Sequence, residues 1–258
     1  MGSYRNIDRP ARPETDAGDR ERLAWLKRQL SDLAPEGEPW RPALPTGVAA
    51  LDRHLPWGGL PLVGLHEIAG LMETGFALFL VRRLLAREAE DRPVLWCQTA
   101  DGARERGRLY GPGLAGRGVD PARVLFVTAK RERDAQWAME EALASGAVAA
   151  AVAETPAIGM TETRRLQLAA QKGKAMGLLL RGPAGDRAPG AALTRWRAEP
   201  LVPPESAGEM PLPGPLHLHL SLWRCRGGRA ADWTLRHDEQ TLCFDLAAPL
   251  ADRSQGTA

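Results

Sequence analysis

The chain has 258 residues, of which 44% are hydrophobic and 26% are charged, and its formal net charge is +2. This length accommodates one large domain or two small ones, and the composition excludes a globally disordered chain. The apolar runs are too short for a spanning helix of about 20 residues, so we expect no membrane role. Three scattered cysteines and a polar N-terminal region predict a reduced, cytoplasmic protein without a secretory signal.

An amphipathic helix followed by a linker is predicted over residues 1–43. Four leucines recur at helical spacing within Asp19–Leu33 and form an apolar stripe; they are Leu23, Leu26, Leu30 and Leu33. The linker Pro35–Pro45 follows. The stripe must be covered by the chain's own core or by a partner, which makes Leu23, Leu26 and Leu30 candidate interface residues.

Residues 44–200 alternate short apolar runs with helical patterns. The strand candidates are Leu62–Ile68, Pro93–Cys97, Arg123–Val127, Ala147–Ala153 and Gly177–Leu180. The helix candidates are Gly75–Glu90, Arg104–Leu109, Glu132–Ser145 and Thr161–Met176. Strands that are apolar on both faces are typical of a parallel sheet covered by helices, so the pattern predicts an α/β core with a mostly parallel sheet.

Residues 201–258 are predicted to form a connector, an antiparallel β meander and a tail. The segments are the Pro-rich connector Pro200–Pro215, the strands Leu216–Cys225, Asp232–His237 and Thr241–Leu246, and the tail Asp252–Ala258. Turn residues separate the strands, as in hairpins. The meander either continues the main sheet or covers its edge.

The loop between the first core strand and the next helix has the placement of a phosphate-binding loop. Gly70 and Gly75 keep the Gly-x-x-x-x-Gly spacing of such loops. A working loop continues with a lysine that meets the phosphates and a hydroxyl that ligates magnesium, but this chain has Phe76 and Ala77 there. The residues of this degenerate nucleotide site are Gly70, Glu73, Thr74, Gly75, Phe76, Ala77 and Glu154.

The order of motifs around this loop resembles the RecA family of bacterial recombinases. The motifs are Thr46-Gly47 with Leu51-Asp52, Gly58-Gly59-Leu60-Pro61, Glu67-Ile68, the loop itself, and Ser145-Gly146-Ala147-Val148. The resemblance spans roughly Ala43–Arg181 and implies a RecA-like core, in which Glu154 falls at the position of the Walker B acid. The activating acid that the family has after its second strand is absent from Cys97-Gln98-Thr99-Ala100. We therefore expect neither ATP hydrolysis nor a cofactor, while weak nucleotide binding through backbone amides stays open.

RecA-like chains that lack the loop lysine form a narrower group, and this chain resembles one of its families, the ImuA family of bacterial damage-induced mutagenesis. The local matches are the Leu-Pro-Thr-Gly opening, Thr194-Arg195-Trp196-Arg197 and Trp223-Arg224-Cys225-Arg226-Gly227-Gly228. The resemblance implies a non-catalytic adaptor in SOS-induced error-prone translesion synthesis. The implied partners are an inactive relative of Y-family polymerases, an error-prone replicative-type polymerase and RecA. Alternatives are a DNA-dependent ATPase of the RecA type, which Phe76 and Ala77 disfavour, and a SulA-like division inhibitor, which the long terminal extensions disfavour.

Two arginine-rich stretches are candidates for contacts with DNA or a partner. Trp196 lies between Arg195 and Arg197, an arrangement that suits base stacking with arginines on phosphates, and packing in the core is the alternative. Arg224 and Arg226 alternate on a predicted strand and share a face, so they mark DNA contact, subunit contact or a solvated basic face. With a net charge near zero, any DNA binding is expected to be weak and salt-sensitive.

Other polar clusters are assigned no chemistry. His217 and His219 alternate on a predicted strand, but no Cys-x-x-Cys or His-x-x-x-His pair supports zinc, so we expect no metal site. Arg104, Arg106 and Arg108 are interpreted as a solvated charged face.

Overall fold

A computed structural model describes residues 42–185, 190–201, 216–238 and 240–247 of the chain. The chain divides into two units, Met1–Trp40 and Arg41–Ala258, and every described residue belongs to the second. The predicted N-terminal helix, most of the predicted connector and the predicted tail lie outside the described residues. None of the helices in the described part of the chain is long and apolar enough to cross a membrane.

Strands and helices alternate along the described chain. The strands are β1 (Ala43–Leu44), β2 (Leu60–Pro61), β3 (Gly64–Ala69), β4 (Val94–Thr99), β5 (Val124–Ala129), β6 (Ala150–Glu154), β7 (Met176–Leu180), β8 (Thr194–Leu201), β9 (His217–Cys225), β10 (Ala231–Asp238) and β11 (Cys243–Leu246). The helices are α1 (Ala49–His54), α2 (Glu73–Leu85), α3 (Ala100–Arg106), α4 (Gly111–Ala115), α5 (Glu132–Ser145) and α6 (Met160–Gly173).

A nine-stranded sheet joins the core to the C-terminal meander. Its order is β11-β10-β9-β8-β3-β7-β6-β4-β5. Every pair from β8 to β5 is parallel, and the pairs from β8 to β11 are antiparallel. The prediction of a mostly parallel α/β sheet with a C-terminal antiparallel meander is confirmed, and the meander continues the main sheet through the β8–β9 pair.

Helices cover both faces of the parallel strands. On one face, Phe76 and its neighbours on α2 pack in an apolar cluster with Ile68 of β3 and with the meander. On the other face, Met139 of α5 and Leu166 of α6 pack with Leu65 of β3. Because the core strands are parallel, the carboxyl ends of β3, β4, β6 and β7 meet at one edge of the sheet, where ligands bind in folds of this kind.

The predicted elements differ from the observed ones mainly near β4 and β8. The helix predicted at Arg104–Leu109 is wrong in position, because α3 begins directly after β4. The Thr99 hydroxyl accepts a hydrogen bond from Gly102 N at 3.0 Å and caps the helix, and Gly107, with φ of 86°, ends it. No strand was predicted at β8, although Trp196 and Ala198 alternate with charged residues and are buried.

The motif around Thr46 has a structural role in this fold. The Asp52 carboxylate accepts hydrogen bonds from Thr46 N, Thr46 Oγ1 and Gly47 N at 2.7, 2.8 and 3.0 Å. Gly59 lies directly against β1, because a Cβ there would be 2.4 Å from the carbonyl oxygen of Leu44. Both motifs therefore shape the segment that precedes β3, independently of any ligand.

Candidate functional site

The loop after β3 is shorter than the sequence predicts. Helix α2 begins at Glu73, so Glu73, Thr74 and Gly75 form its first turn and only Gly70, Leu71 and Met72 remain as a loop. The amide of Phe76 donates to Met72 O at 3.0 Å, which continues the helical bonding back into the loop. A phosphate-binding loop needs an open turn at this point, but here three of its six residues belong to the helix.

The backbone amides of this loop are already hydrogen-bonded within the protein. Four consecutive N–H groups each donate to an internal acceptor. The bonds are Gly70 N to Gly182 O (3.1 Å), Leu71 N to Glu199 Oε2 (3.2 Å), Met72 N to Ala198 O (3.0 Å) and Glu73 N to Gly70 O (3.3 Å). A phosphate cradle is built from such amides pointing at the ligand, so these four have no donor capacity left for a nucleotide.

Gly70 is required by the contact with β8. Its φ is 105°, and a Cβ would lie 2.2 Å from the carbonyl oxygen of Ala198. Only glycine adopts this conformation and permits such a close approach of two backbones. The glycine that suggests a phosphate loop in the sequence is therefore explained by packing.

Phe76 and Ala77 face the apolar core. They are 1% and 0% exposed. The Phe76 ring lies 5.7 Å from the Trp196 ring and 6.2 Å from the Phe79 ring, measured between centroids. These contacts give the aromatic residue a packing role at the position of the expected lysine, and a cation there would lose them and be buried without a partner.

Two buried carboxylates occupy the place where a nucleotide's phosphates are expected. Glu73 and Glu154 are 4% and 3% exposed. Arg106 lies between them, with Nη2 2.9 Å from Glu154 Oε2 and Nη1 3.8 Å from Glu73 Oε1. Glu154 Oε1 also accepts hydrogen bonds from Trp96 Nε1 at 3.0 Å and Gln98 Nε2 at 2.8 Å. Both oxygens of Glu154 therefore have protein donors, and Arg106 supplies the positive charge that a metal ion or loop lysine would supply in a working site.

Burial raises the pKa of Glu73 to about 7 and the nearby charge of Glu154 acts in the same direction, while a hydrogen bond from Gly182 N and the charge of Arg106 oppose the rise. The Gly182 N to Glu73 Oε2 distance is 2.6 Å. Near neutral pH, Glu73 therefore populates both protonation states. Its ionised form adds a second negative charge beside Glu154, which opposes the approach of a polyphosphate.

Trp196 and Arg195 are buried, so neither is available to a base or to a partner surface in this fold. The Trp196 indole is 1% exposed and donates from Nε1 to Thr194 Oγ1 at 2.7 Å. Thr194 Oγ1 in turn lies 2.7 Å from His66 Nδ1, and His66 Nε2 lies 2.9 Å from Pro61 O. Since a carbonyl only accepts, His66 is protonated at Nε2 and accepts from Thr194 at Nδ1. Burial lowers the pKa of His66 to about 4, consistent with this neutral form.

Arg195 belongs to a buried charge cluster on the opposite face of the sheet. Its Nε lies 2.9 Å from Glu67 Oε2, and Arg181 Nη1 lies 3.1 Å from the same oxygen. Arg197 is partly exposed; its guanidinium lies 2.6 Å from Glu199 Oε1 and 5.4 Å from the centre of the Trp223 ring. Of the Thr194–Arg197 candidates, only Arg197 reaches solvent.

Arg224 and Arg226 are both exposed. Arg224 Nη1 donates to the carbonyl oxygen of Gly190. Arg226 follows the end of β9, so the two side chains do not alternate along one strand as the sequence suggests. The remaining interface candidates, Leu23, Leu26 and Leu30, lie outside the described residues.

The histidines of the meander form no metal cluster with the cysteines. The described residues hold no group of three or more histidine, cysteine, aspartate or glutamate side chains that could bind a metal ion. His219 Nε2 lies 3.6 Å from Asp232 Oδ1 and 3.2 Å from Ser221 Oγ. These are cross-strand and same-strand contacts within the meander.

The sequence alone did not identify the residues that meet at this site. Arg106 was assigned to a solvated face; its side chain is 32% exposed, and its guanidinium also reaches the two carboxylates. Gln98 stands near the position of the expected activating acid and binds Glu154 instead. The available signal was the order of the elements, since the end of β4 and the short helix that follows it must lie beside the ends of β3 and β6.

The chain is similar to two proteins that are named ImuA. Protein ImuA from two strains of Caulobacter vibrioides is 37% identical over 238 residues, which cover 84% of this chain and 93% of each relative. No protein-family model matches the chain.

Proposed function

Because the chain belongs to the ImuA family, we propose that it is a non-catalytic adaptor in damage-induced mutagenesis. In this proposal it acts in the cytoplasm, in SOS-induced error-prone translesion synthesis. It works by binding an inactive Y-family-polymerase-like protein and an error-prone replicative-type polymerase, with RecA as a further partner. The core with its degenerate loop serves as a scaffold for these contacts.

A single observation supports the non-catalytic part of the proposal: the groups at the expected phosphate position are bonded to one another within the protein. The three loop amides and the first amide of α2 have internal acceptors. Arg106 bridges Glu73 and Glu154, and Phe76 packs into the core. Phosphoryl transfer relies on positioned cations and donors around the phosphates. A chain that satisfies these groups internally gains structural stability at this edge and loses the means to hold a triphosphate.

The experiment is a comparison of partner binding with and without nucleotide. The full-length chain is mixed with the polymerase-like protein of the same organism, and the affinity is measured without nucleotide, with ADP and with ATP and magnesium. We expect a complex whose affinity is the same in all three conditions. An affinity that depends on ATP, or an ATP turnover that disappears in Glu154→Gln, would favour the RecA-type ATPase instead.

A pair of matched variants distinguishes damage to this site from damage to the surface that binds the partner. Arg106→Ala removes the cation between the two carboxylates and is expected to weaken the local packing without altering partner affinity. Glu105→Ala, one residue earlier and exposed, is the control for any change in the charge of α3. Failure of the folded chain to bind the partner in any condition contradicts the adaptor proposal.

A further inference from the structure

Helix α5 presents a charged and aromatic face to solvent. Arg133, Trp137 and Glu141 follow one another at i, i+4 and i+8, and all three are exposed. The spacing places them along one side of the helix. The opposite side is buried against the sheet through Ala135, Met139 and Leu143. The helix therefore buries an apolar stripe on its inner side and also exposes a large aromatic side chain, Trp137, on its outer side.

Trp137 is 62% exposed and borders a groove between α5 and α6. The groove has a volume of about 470 Å³, and Leu166 contributes an apolar wall. An ion pair crosses between the helices, with Arg165 Nη2 2.5 Å from Glu140 Oε2. Exposed tryptophans beside a concave surface are enriched among residues that anchor protein interfaces. This face thus has both an anchor and a recess beside it.

Two charged residues that flank Trp137 on this face, Arg133 and Glu141, are complementary to each other. Arg133 and Glu141 lie equally far from Trp137 along the helix, one on each side, and have opposite charge. If two copies of α5 lie antiparallel about a two-fold axis through Trp137, each Arg133 faces Glu141 of the other copy. The arrangement forms two equivalent ion pairs around a central pair of indoles, whereas a parallel arrangement would place like charges together. Closed two-fold symmetry requires this kind of self-complementary patch.

From this pattern we propose that the outward face of α5 binds a second copy of this chain, antiparallel and about a two-fold axis at Trp137. The contact is independent of the degenerate nucleotide site, which lies at the carboxyl edge of the sheet. Because the surface of one helix is small, the dimer is weak and reversible, in the class of transient interfaces. Trp137 supplies most of the affinity, and the two ion pairs fix the direction.

The test is the self-association of the full-length chain by sedimentation equilibrium over a concentration series. The variants are Trp137→Ala, Arg133→Glu, Glu141→Arg and the double reversal Arg133→Glu with Glu141→Arg. We expect Trp137→Ala to weaken dimerisation by at least about 30-fold, as truncation of an interface anchor does. Each single reversal places like charges together and is expected to weaken the dimer by at least about tenfold. Circular dichroism confirms that each exposed-face variant remains folded.

One double variant and one mixture make the geometry testable. The double reversal restores both ion pairs with exchanged signs, so it is expected to dimerise as the wild type does. An equimolar mixture of the Arg133→Glu and Glu141→Arg variants is expected to form heterodimers, since each ion pair then joins opposite charges. Rescue in both cases supports the two-fold arrangement.

Several results would overturn the proposal. A chain that stays monomeric at all concentrations has no such interface. Self-association unchanged by Trp137→Ala locates the contact elsewhere, for instance at the edge strand β5, where Leu125 and Phe126 are also exposed. Single reversals that weaken the dimer without rescue by the double reversal contradict the antiparallel pairing. A Trp137→Ala variant that self-associates normally but loses the polymerase-like protein assigns the face to that partner.

Discussion

Replacing Glu73 with glutamine is expected to change how stability depends on pH. Burial raises the pKa of Glu73 from 4.5 to about 7 in the folded protein. Between these values the unfolded chain releases the proton while the folded protein retains it, so rising pH favours the unfolded chain. At about 1.4 kcal/mol for each pH unit, the rise corresponds to about 3 kcal/mol of stability lost between pH 4.5 and about 7.

The assay is the free energy of unfolding by urea, measured for the wild type and Glu73→Gln across this pH range. Glutamine keeps an oxygen that accepts from Gly182 N, so the packing is retained. The free energy of unfolding of the variant, minus that of the wild type, is expected to rise by about 3 kcal/mol from below pH 4.5 to above pH 7. Glu105→Gln, on an exposed residue, is expected to give no such trend. A difference between variant and wild type that is independent of pH, or that falls as pH rises, would refute the reasoning.

Three further outcomes are expected. Phe76→Lys buries a cation in the core, so we expect a loss of about 3–5 kcal/mol in urea unfolding and no gain of ATPase activity; a stable, ATP-hydrolysing variant would contradict this. Gly70→Ala is expected to lower the free energy of unfolding by about 1–3 kcal/mol more than Gly58→Ala does. Both glycines have positive φ, but a Cβ at position 70 meets the Ala198 carbonyl oxygen, whereas a Cβ at position 58 meets nothing within 4 Å. Equal losses of stability would contradict the packing explanation. Replacing Arg224 and Arg226 with alanine is expected to weaken single-stranded DNA binding and lower its salt dependence, measured by fluorescence anisotropy, and unchanged binding would exclude both residues from the contact.

The alternation of apolar runs was sufficient to predict the α/β class and the strands β3 to β7, because buried parallel strands and their helices have distinct periodicities. Helix α5 has the predicted bounds, Glu132–Ser145, since Gly146 ends it with φ of 73°. Strand β8 was missed because arginines interrupt its apolar pattern. One of them, Arg195, is buried only because Glu67 on the neighbouring strand pairs with it. Such a partner is distant in sequence and cannot be read from local composition.

The sequence suggested a position for the candidate site but not the contacts found there. The spacing of Gly70 and Gly75 suggested a phosphate-binding loop, and Phe76 and Ala77 suggested that the loop is degenerate. The contacts found there join three separate segments, the start of α2 at Glu73, the end of α3 at Arg106 and the end of β6 at Glu154, which only the tertiary fold brings together. Arg106 illustrates this, since its role is decided by two carboxylates 33 and 48 positions away.

The claim that the phosphate position is filled by the protein itself is tested most directly by equilibrium binding of ATP. The full-length chain is titrated with ATP in the presence of magnesium by isothermal calorimetry, alongside Arg106→Ala, in which the cation between Glu73 and Glu154 is removed. We predict no saturable binding to the wild type, because the loop amides and both carboxylates already have partners, and none to the variant, because the two carboxylates then repel the phosphates without compensation. Saturable one-to-one binding of ATP to the wild type would contradict the claim.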